Sequence, residues 1–254
     1  MTTEELYRYL DRRIPGSLSC EWDNDGLQCC PDPGKTVHRV LVVLDVTECA
    51  VEIAVREKYD VIVSHHPLIF HPLRNLTTGE PGGRKLIRLL QAGIASMSFH
   101  TRLDAVAGGV NDTLAETLGL RDVVPFGENG EEMGRIGTLE TPTTLGAFAA
   151  TVKKTLGAAA VEYSGAGPVL RVAVLGGAGD DDVEAAFRAG ADTYLTGELK
   201  HHQLSEAPER GQNLLQAGHY DTEFPVCQTL RNWILAADPA LTVDILHTYP
   251  AKIC

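Results

Sequence analysis

No apolar run in this chain of 254 residues approaches the roughly 18 residues that span a bilayer. None of its six cysteines forms a C-x-x-C pair, and vicinal Cys29-Cys30 is a poor start for a disulfide framework, so reduced thiols are expected. Positive charge is short: 22 Lys and Arg against 34 Asp and Glu leave a net charge of −12. That deficit argues against a nucleic-acid backbone as the main partner. The chain opens on Thr2-Thr3-Glu4-Glu5, not on a basic flank followed by an apolar core, and a secretory signal is not expected. A dinucleotide fingerprint is lacking too. Gly176-Gly177-Ala178-Gly179 follows an apolar run, but it is not G-x-G-x-x-G, and Asp180, Asp181 and Asp182 would oppose a phosphate there. Ser64 and Ser98 have no nucleophile-elbow context. These absences leave a soluble, cytoplasmic protein without a membrane partner as the expectation.

What is present is ordinary globular composition, 44% hydrophobic and 22% charged, arranged in alternating periods. Thr2 with Glu5 predicts a capping box for a first helix through Leu6, Tyr9 and Leu10, stopped by Pro15. Glu21 to Gln28 reads as a turn-rich loop carrying Trp22. Arg39 to Asp45, Asp60 to Ser64 and Ile94 to Phe99 read as buried strands, with helices over Thr47 to Lys58 and Gly83 to Ala92. Such alternation indicates βαβ units and a parallel sheet covered on both faces. The polar stretch Glu128 to Glu132 is taken as a boundary between domains 1–127 and 128–254. Beyond it the pattern recurs: Arg171 to Leu175 aligns with Arg39 to Val43, and Ala191 to Thr196 with Tyr59 to Ser64. Two related α/β halves are expected.

The chemistry gathers at strand ends. Ser64-His65-His66-Pro67 closes one apolar run, His100 with Asp104 follows another, and His219 with Glu223 follows Leu214 to Gly218. Ligands of open parallel sheets collect outside the carboxyl ends of the strands. Any one of these histidines is more simply a packed or solvated side chain. All of them at strand ends together point to metal. Three or four imidazoles with two carboxylates supply enough donors for two divalent ions, and without cysteine in the set those ions would be Zn, Fe or Mn. Glu198 with Lys200, His201 and His202 forms a second polar cluster, more simply a solvated helix start.

Trp22-Asp23-Asn24 with Gly26-Leu27, Ser64-His65-His66-Pro67 with Phe70, His100-Thr101 with Asp104, Gly197-Glu198, and Gly218-His219-Tyr220 with Glu223 resemble the NGG-interacting-factor-three-like proteins, also known as GTP cyclohydrolase I type 2. The resemblance implies two α/β domains with mostly parallel sheets, a dinuclear metal site in the cleft between them, and a toroidal homohexamer. It assigns His65, His66, Asp104, His219 and Glu223 as metal ligands and leaves His100 to proton handling. A dinuclear metal-dependent hydrolase is the leading expectation, since two ions activate a water and clamp a developing oxyanion. GTP cyclohydrolysis is its specific form, with a small-molecule nucleotide as substrate and Arg102, Lys200, His201 and Arg84 as contacts for it. The rival is a metal-binding regulatory or scaffold protein assembled as a ring.

Overall fold

The computed structural model describes residues 1–128 and 131–249. The chain divides into two compact units. The first comprises Met1–Leu103 and the described residues from Cys227 onward; the second is Asp104–Val226. In chain order the elements are α1 (Thr3–Arg13), β1 (Gly26–Cys29), β2 (Arg39–Val43), α2 (Glu48–Arg56), β3 (Val61–Ser64), α3 (Pro81–Ala92), β4 (Ala95–Ser98) and α4 (Thr101–Ala105). There follow α5 (Val110–Thr117), β5 (Arg121–Glu128), β6 (Glu131–Thr144), α6 (Leu145–Leu156), β7 (Glu162–Ser164), β8 (Pro168–Leu175) and α7 (Val183–Arg188). The last elements are β9 (Thr193–Thr196), α8 (His201–Glu206), β10 (Asn213–Gln216), α9 (His219–Glu223), α10 (Val226–Ala237) and β11 (Thr242–Ile245). No helix among the described residues is long and apolar enough to cross a membrane.

The first unit is built on a five-stranded sheet of order β1-β4-β3-β2-β11. β4, β3, β2 and β11 are parallel, and β1 runs antiparallel on the edge. Every residue of β3 and β4 is buried, as expected of strands covered on both faces. One core joins Leu41, Val43 and Ile62 to Ala50, Val51, Ala54, Leu86 and Leu89, which face the sheet from α2 and α3. The predicted capping box closes α1: Thr2 Oγ1 accepts the Glu5 N–H at 3.2 Å, and Glu5 Oε2 accepts the Thr2 N–H at 2.8 Å.

The second unit carries a six-stranded sheet of order β5-β6-β8-β9-β10-β7. It is parallel only through β8, β9 and β10; β5, β6 and β7 join it antiparallel. The compact units are thus not the consecutive segments 1–127 and 128–254. The polar stretch read as a boundary takes in the end of β5 and the start of β6, which pair antiparallel with each other, and two of its residues, Asn129 and Gly130, lie outside the described residues. One strand that the sequence pattern overlooked, β11, pairs with β2 and lies in the first unit with the other described residues from Cys227 onward.

The internal repeat is real at the level of single hydrogen bonds. Val40 to Val43 pair with Val61 to Ser64 as Val172 to Leu175 pair with Thr193 to Thr196. Asp60 Oδ2 accepts the N–H groups of His38 and Arg39 at 2.8 and 3.0 Å. Asp192 Oδ2 accepts those of Leu170 and Arg171 at 3.0 and 2.8 Å. The same device ties the residue before β3 to the neighbouring β2 and the residue before β9 to the neighbouring β8. The third strand shifts the alignment by one residue. β4 and β10 place Phe99 N–H on Ser64 O and Ala217 N–H on Thr196 O, so Phe99 matches Ala217 and His100 matches Gly218, not His219.

Candidate metal centre

In the first unit the chain leaves β3 and β4 side by side, and the two exits carry His65, His66 and His100. A ring nitrogen from each lies within 4.8 Å of those of the other two. His65 is wholly buried, and the sequence presents it directly after a strand with no exposed residue. Its Nδ1 lies 2.9 Å from Phe99 O. His66 Nδ1 lies 2.8 Å from Asp45 Oδ1, and His100 Nδ1 lies 3.0 Å from Asp23 Oδ1. A carbonyl or carboxylate oxygen only accepts, so each Nδ1 carries a proton, and in the neutral ring Nε2 is then the lone-pair nitrogen. That is the outer-partner arrangement by which proteins prepare imidazoles for metal.

Asp23 is the best-held of these partners, with its side chain fully buried. Thr101 donates to its Oδ2 twice, from N–H at 3.0 Å and from Oγ1 at 2.7 Å. Burial pushes its carboxyl up, but the hydrogen bonds from His100 and Thr101 outweigh burial and hold it well below the usual carboxylate range. The neighbouring carboxylate, Asp25, accepts the His100 N–H at 3.0 Å. Together the two acids satisfy the first donors of α4, which fixes where His100 stands. Sequence reasoning took Asp23 as turn chemistry; its position one residue after Trp22, in a loop with no hydrophobic period, gave no sign of a partner 77 residues away. Beside His66, a cleft of about 290 Å³ is lined by Asp45, Thr47, His66, Pro67 and Lys85.

In the second unit, α9 begins directly after β10 and a Gly218 with φ of 90°. One helical turn then brings His219 Nε2 to 3.3 Å from Glu223 Oε2. His219 Nδ1 lies 3.2 Å from Glu198 Oε1, the fourth imidazole held by an oxygen acceptor. Glycines make this possible. A Cβ at Gly197 would stand 2.7 Å from His219 Cα, and one at Gly177, whose φ is +70°, would collide with Glu223 Oε1. The glycine run after β8 is therefore a space-maker for an acid. Its N–H groups are taken internally: Gly176 donates to Asn111 Oδ1, Gly177 to Thr222 Oγ1 and Gly179 to Thr196 Oγ1. Asp104 is half-buried on α4, its carbonyl accepting from Asn111 Nδ2 at 3.3 Å.

Arg102 is not a substrate contact. Only 2% of its side chain is exposed; it donates to Asp25 Oδ2 at 2.8 Å, Asp11 Oδ1 at 2.7 Å and Ile14 O at 3.0 Å. It is a structural cation tying α4 to α1 and to the loop before β1. Lys200 is exposed and held by Asp180 and Asp181, and Arg84 by Glu48. His201 is exposed at the start of α8, outside the grouped imidazoles.

Residues 1–249 match the family described as Duf34/NIF3 (NGG1p interacting factor 3). The chain belongs to this family. A relative from Clostridium perfringens (strain 13 / Type A), named GTP cyclohydrolase 1 type 2 homolog, is 32% identical over 232 residues, 89% of this chain and 88% of its own. The Protein NIF3 homolog of Schizosaccharomyces pombe is 35% identical over 237 residues, 87% of this chain and 84% of its own. The crystal structure of a Bacillus cereus protein related to NIF3 superposes with a TM-score of 0.89 at 26% identity, covering 100% of this chain and 99% of that one. The Duf34/NIF3 fold is therefore shared along the whole length, and the grouped His, Asp and Glu side chains of this member can hold a metal ion.

Proposed function

We propose that this Duf34/NIF3 protein is a dinuclear metal-dependent hydrolase of a small molecule, with GTP cyclohydrolysis as the specific reaction. His65, His66, Asp104, His219 and Glu223 would hold two divalent ions, Zn, Fe or Mn, within a ring-shaped homohexamer. The observation that carries the reading is the common placement of His65, His66 and His100, each with Nδ1 on an oxygen acceptor so that Nε2 is the lone-pair nitrogen of the neutral ring, together with the His219–Glu223 pair. The donor set of imidazole nitrogens and carboxylate oxygens suits those ions. When bound, two such ions lower the pKa of a water and stabilise a developing oxyanion.

The chain's own part is to hold and move protons. His100 takes up a proton at Nε2 while Asp23, kept anionic, holds Nδ1–H and stabilises the imidazolium that forms. Two hydrolyses, opening of the guanine imidazole ring at C8 and cleavage of the formamide so formed, release formate, which gives a direct assay. Lys200 and His201 remain the proposed contacts for a polyphosphate, although the charge of Lys200 is already offset by two carboxylates.

Elemental mass spectrometry on wild type and Asp104→Ala, with formate release from GTP on the same samples, tests the proposal. About two ions per chain, lost in the variant together with turnover, is the expected result. Two ions without turnover on GTP would favour a metal-binding regulatory or scaffold role. Absence of metal would overturn the reading.

A further inference from the structure

Trp22 is 63% exposed and Phe70 is 42% exposed, both unusual for aromatic side chains. They are not loose. Trp22 precedes the fully buried Asp23, and Phe70 follows Ile69, whose carbonyl accepts from Asn24 Nδ2 at 2.5 Å and Gln28 Nε2 at 2.9 Å. Ile69 N–H in turn donates to Gln28 Oε1 at 3.0 Å. Both rings are thus mounted on fixed backbone and partly open to solvent, their planes tilted by 59° to each other, with His71 packed against Phe70 at 4.7 Å between ring centroids. Their centroids lie 6.1 Å from each other, and 6.1 and 5.9 Å from the ring of His100. The outcome is an aromatic wall that ends on one of the three grouped imidazoles. Meanwhile the cations that sequence reasoning reserved for phosphate are committed elsewhere: Arg102 is buried, and Lys200 and Arg84 are paired with acids.

We infer that the substrate is recognised through a planar heteroaromatic ring stacked on Trp22, with Phe70 meeting it at an angle, beside His100, and only weakly through its phosphates. This rests on the hydrolase reading and names the part of the substrate that the site reads. Aromatic faces stack on any base, whereas a chain of net charge −12 gains little from attracting a polyanion. Trp22 and Phe70 are specificity-determining residues that touch the ring; the proton chemistry stays with His100.

The chain has two tryptophans, and Trp233 is buried with Arg13 over its ring. In a Trp233→Phe background of the metal-loaded protein, emission therefore reports Trp22 alone. Guanosine is expected to quench it, and inorganic triphosphate to leave it unchanged. By calorimetry, Trp22→Ala and Phe70→Ala should each weaken guanosine binding about tenfold, Trp22→Phe much less, with metal content at the wild-type level in all three. Unquenched emission, wild-type guanosine affinity in Trp22→Ala, or emission that follows protein concentration and not guanosine would each overturn the wall as a ring site. The last outcome would assign it to contact between copies. Formate release measured alongside separates the two ideas. Metal-dependent release with a guanosine-blind Trp22 sinks the wall and spares the hydrolase; guanosine stacking without any release does the reverse.

Discussion

Asp23 shows how much a single side chain can hide in a sequence. Its carboxylate takes the Nδ1–H of His100, the N–H and hydroxyl of Thr101, and has no exposed surface of its own. Asp23→Asn keeps the shape but offers an amide where an anion stood, so His100 loses the charge that stabilises its protonated form. Turnover of GTP should fall about 100-fold or more, with KM and metal content close to wild type. A variant that turns over normally would remove Asp23 from the proton path. The imidazoles themselves were legible from the sequence because His65-His66 follows an unbroken apolar strand, a context that makes paired histidines conspicuous. Their oxygen partners were not. Asp45 stood out only as the polar end of a strand, Glu198 belonged to a cluster more simply read as a solvated helix start, and Asp23 sat among turn-forming residues where an acid is commonplace.

At the level of elements, the start of α4 is held to the first unit by charge. Arg102 reaches Asp25, Asp11 and the carbonyl that ends α1. Asp25 is nearly as buried as Arg102 itself, while Asp11 is half-exposed. Arg102→Met leaves a buried carboxylate without its cation and should cost about 3–5 kcal/mol, read as a lowered denaturation midpoint in urea. A variant of unchanged stability but raised KM would restore Arg102 to the substrate. The strand-start clamp gives a pH-dependent prediction. Burial raises the Asp60 carboxyl, but the N–H groups of Arg39 and His38 and the Lys35 ammonium, 2.9 Å away, lower it below its ordinary value. A carboxyl that is lower in the folded than in the unfolded chain stabilises at pH above the ordinary carboxylate value, and the gain is lost as pH falls through the folded value. Asp60→Asn should therefore cost about 1–2 kcal/mol at neutral pH, with the gap to wild type closing in acid; a gap that stays constant would refute the ionic account. The repeat of this clamp at Asp192 was legible because a strand start and an acid recur at equal spacing. The one-residue shift after β4 was not, since His-x-x-x-acid reads alike whether or not the strands put the histidines in the same place.

For the molecule as a whole, the α/β class and the family were legible, because buried strands and metal-type residues occur in order along the chain. Of the edge strands, β1, β7 and β11 were not, being short, and Thr242–Ile245 has only one buried residue. If the proposed ions hold residues of Asp104–Val226 together with His65 and His66, chelation should destabilise the protein. With metal at about a thousand times its Kd, the loss is about 4 kcal/mol, seen as a lower Tm that metal restores. A Tm indifferent to chelator would argue against ligands shared in that way.

The return of β11 to β2 has a consequence for synthesis. A ribosome delivers β2 before, and its neighbour β11 after, the whole of Asp104–Val226. At usual elongation rates, the β2 edge waits on the order of 10–40 seconds for its partner. The second unit, continuous in the chain, emerges complete while the first still lacks a strand. Order of translation and order of completion are inverted, and a nascent chain stalled before α10 would expose an apolar strand edge to chaperones and proteases.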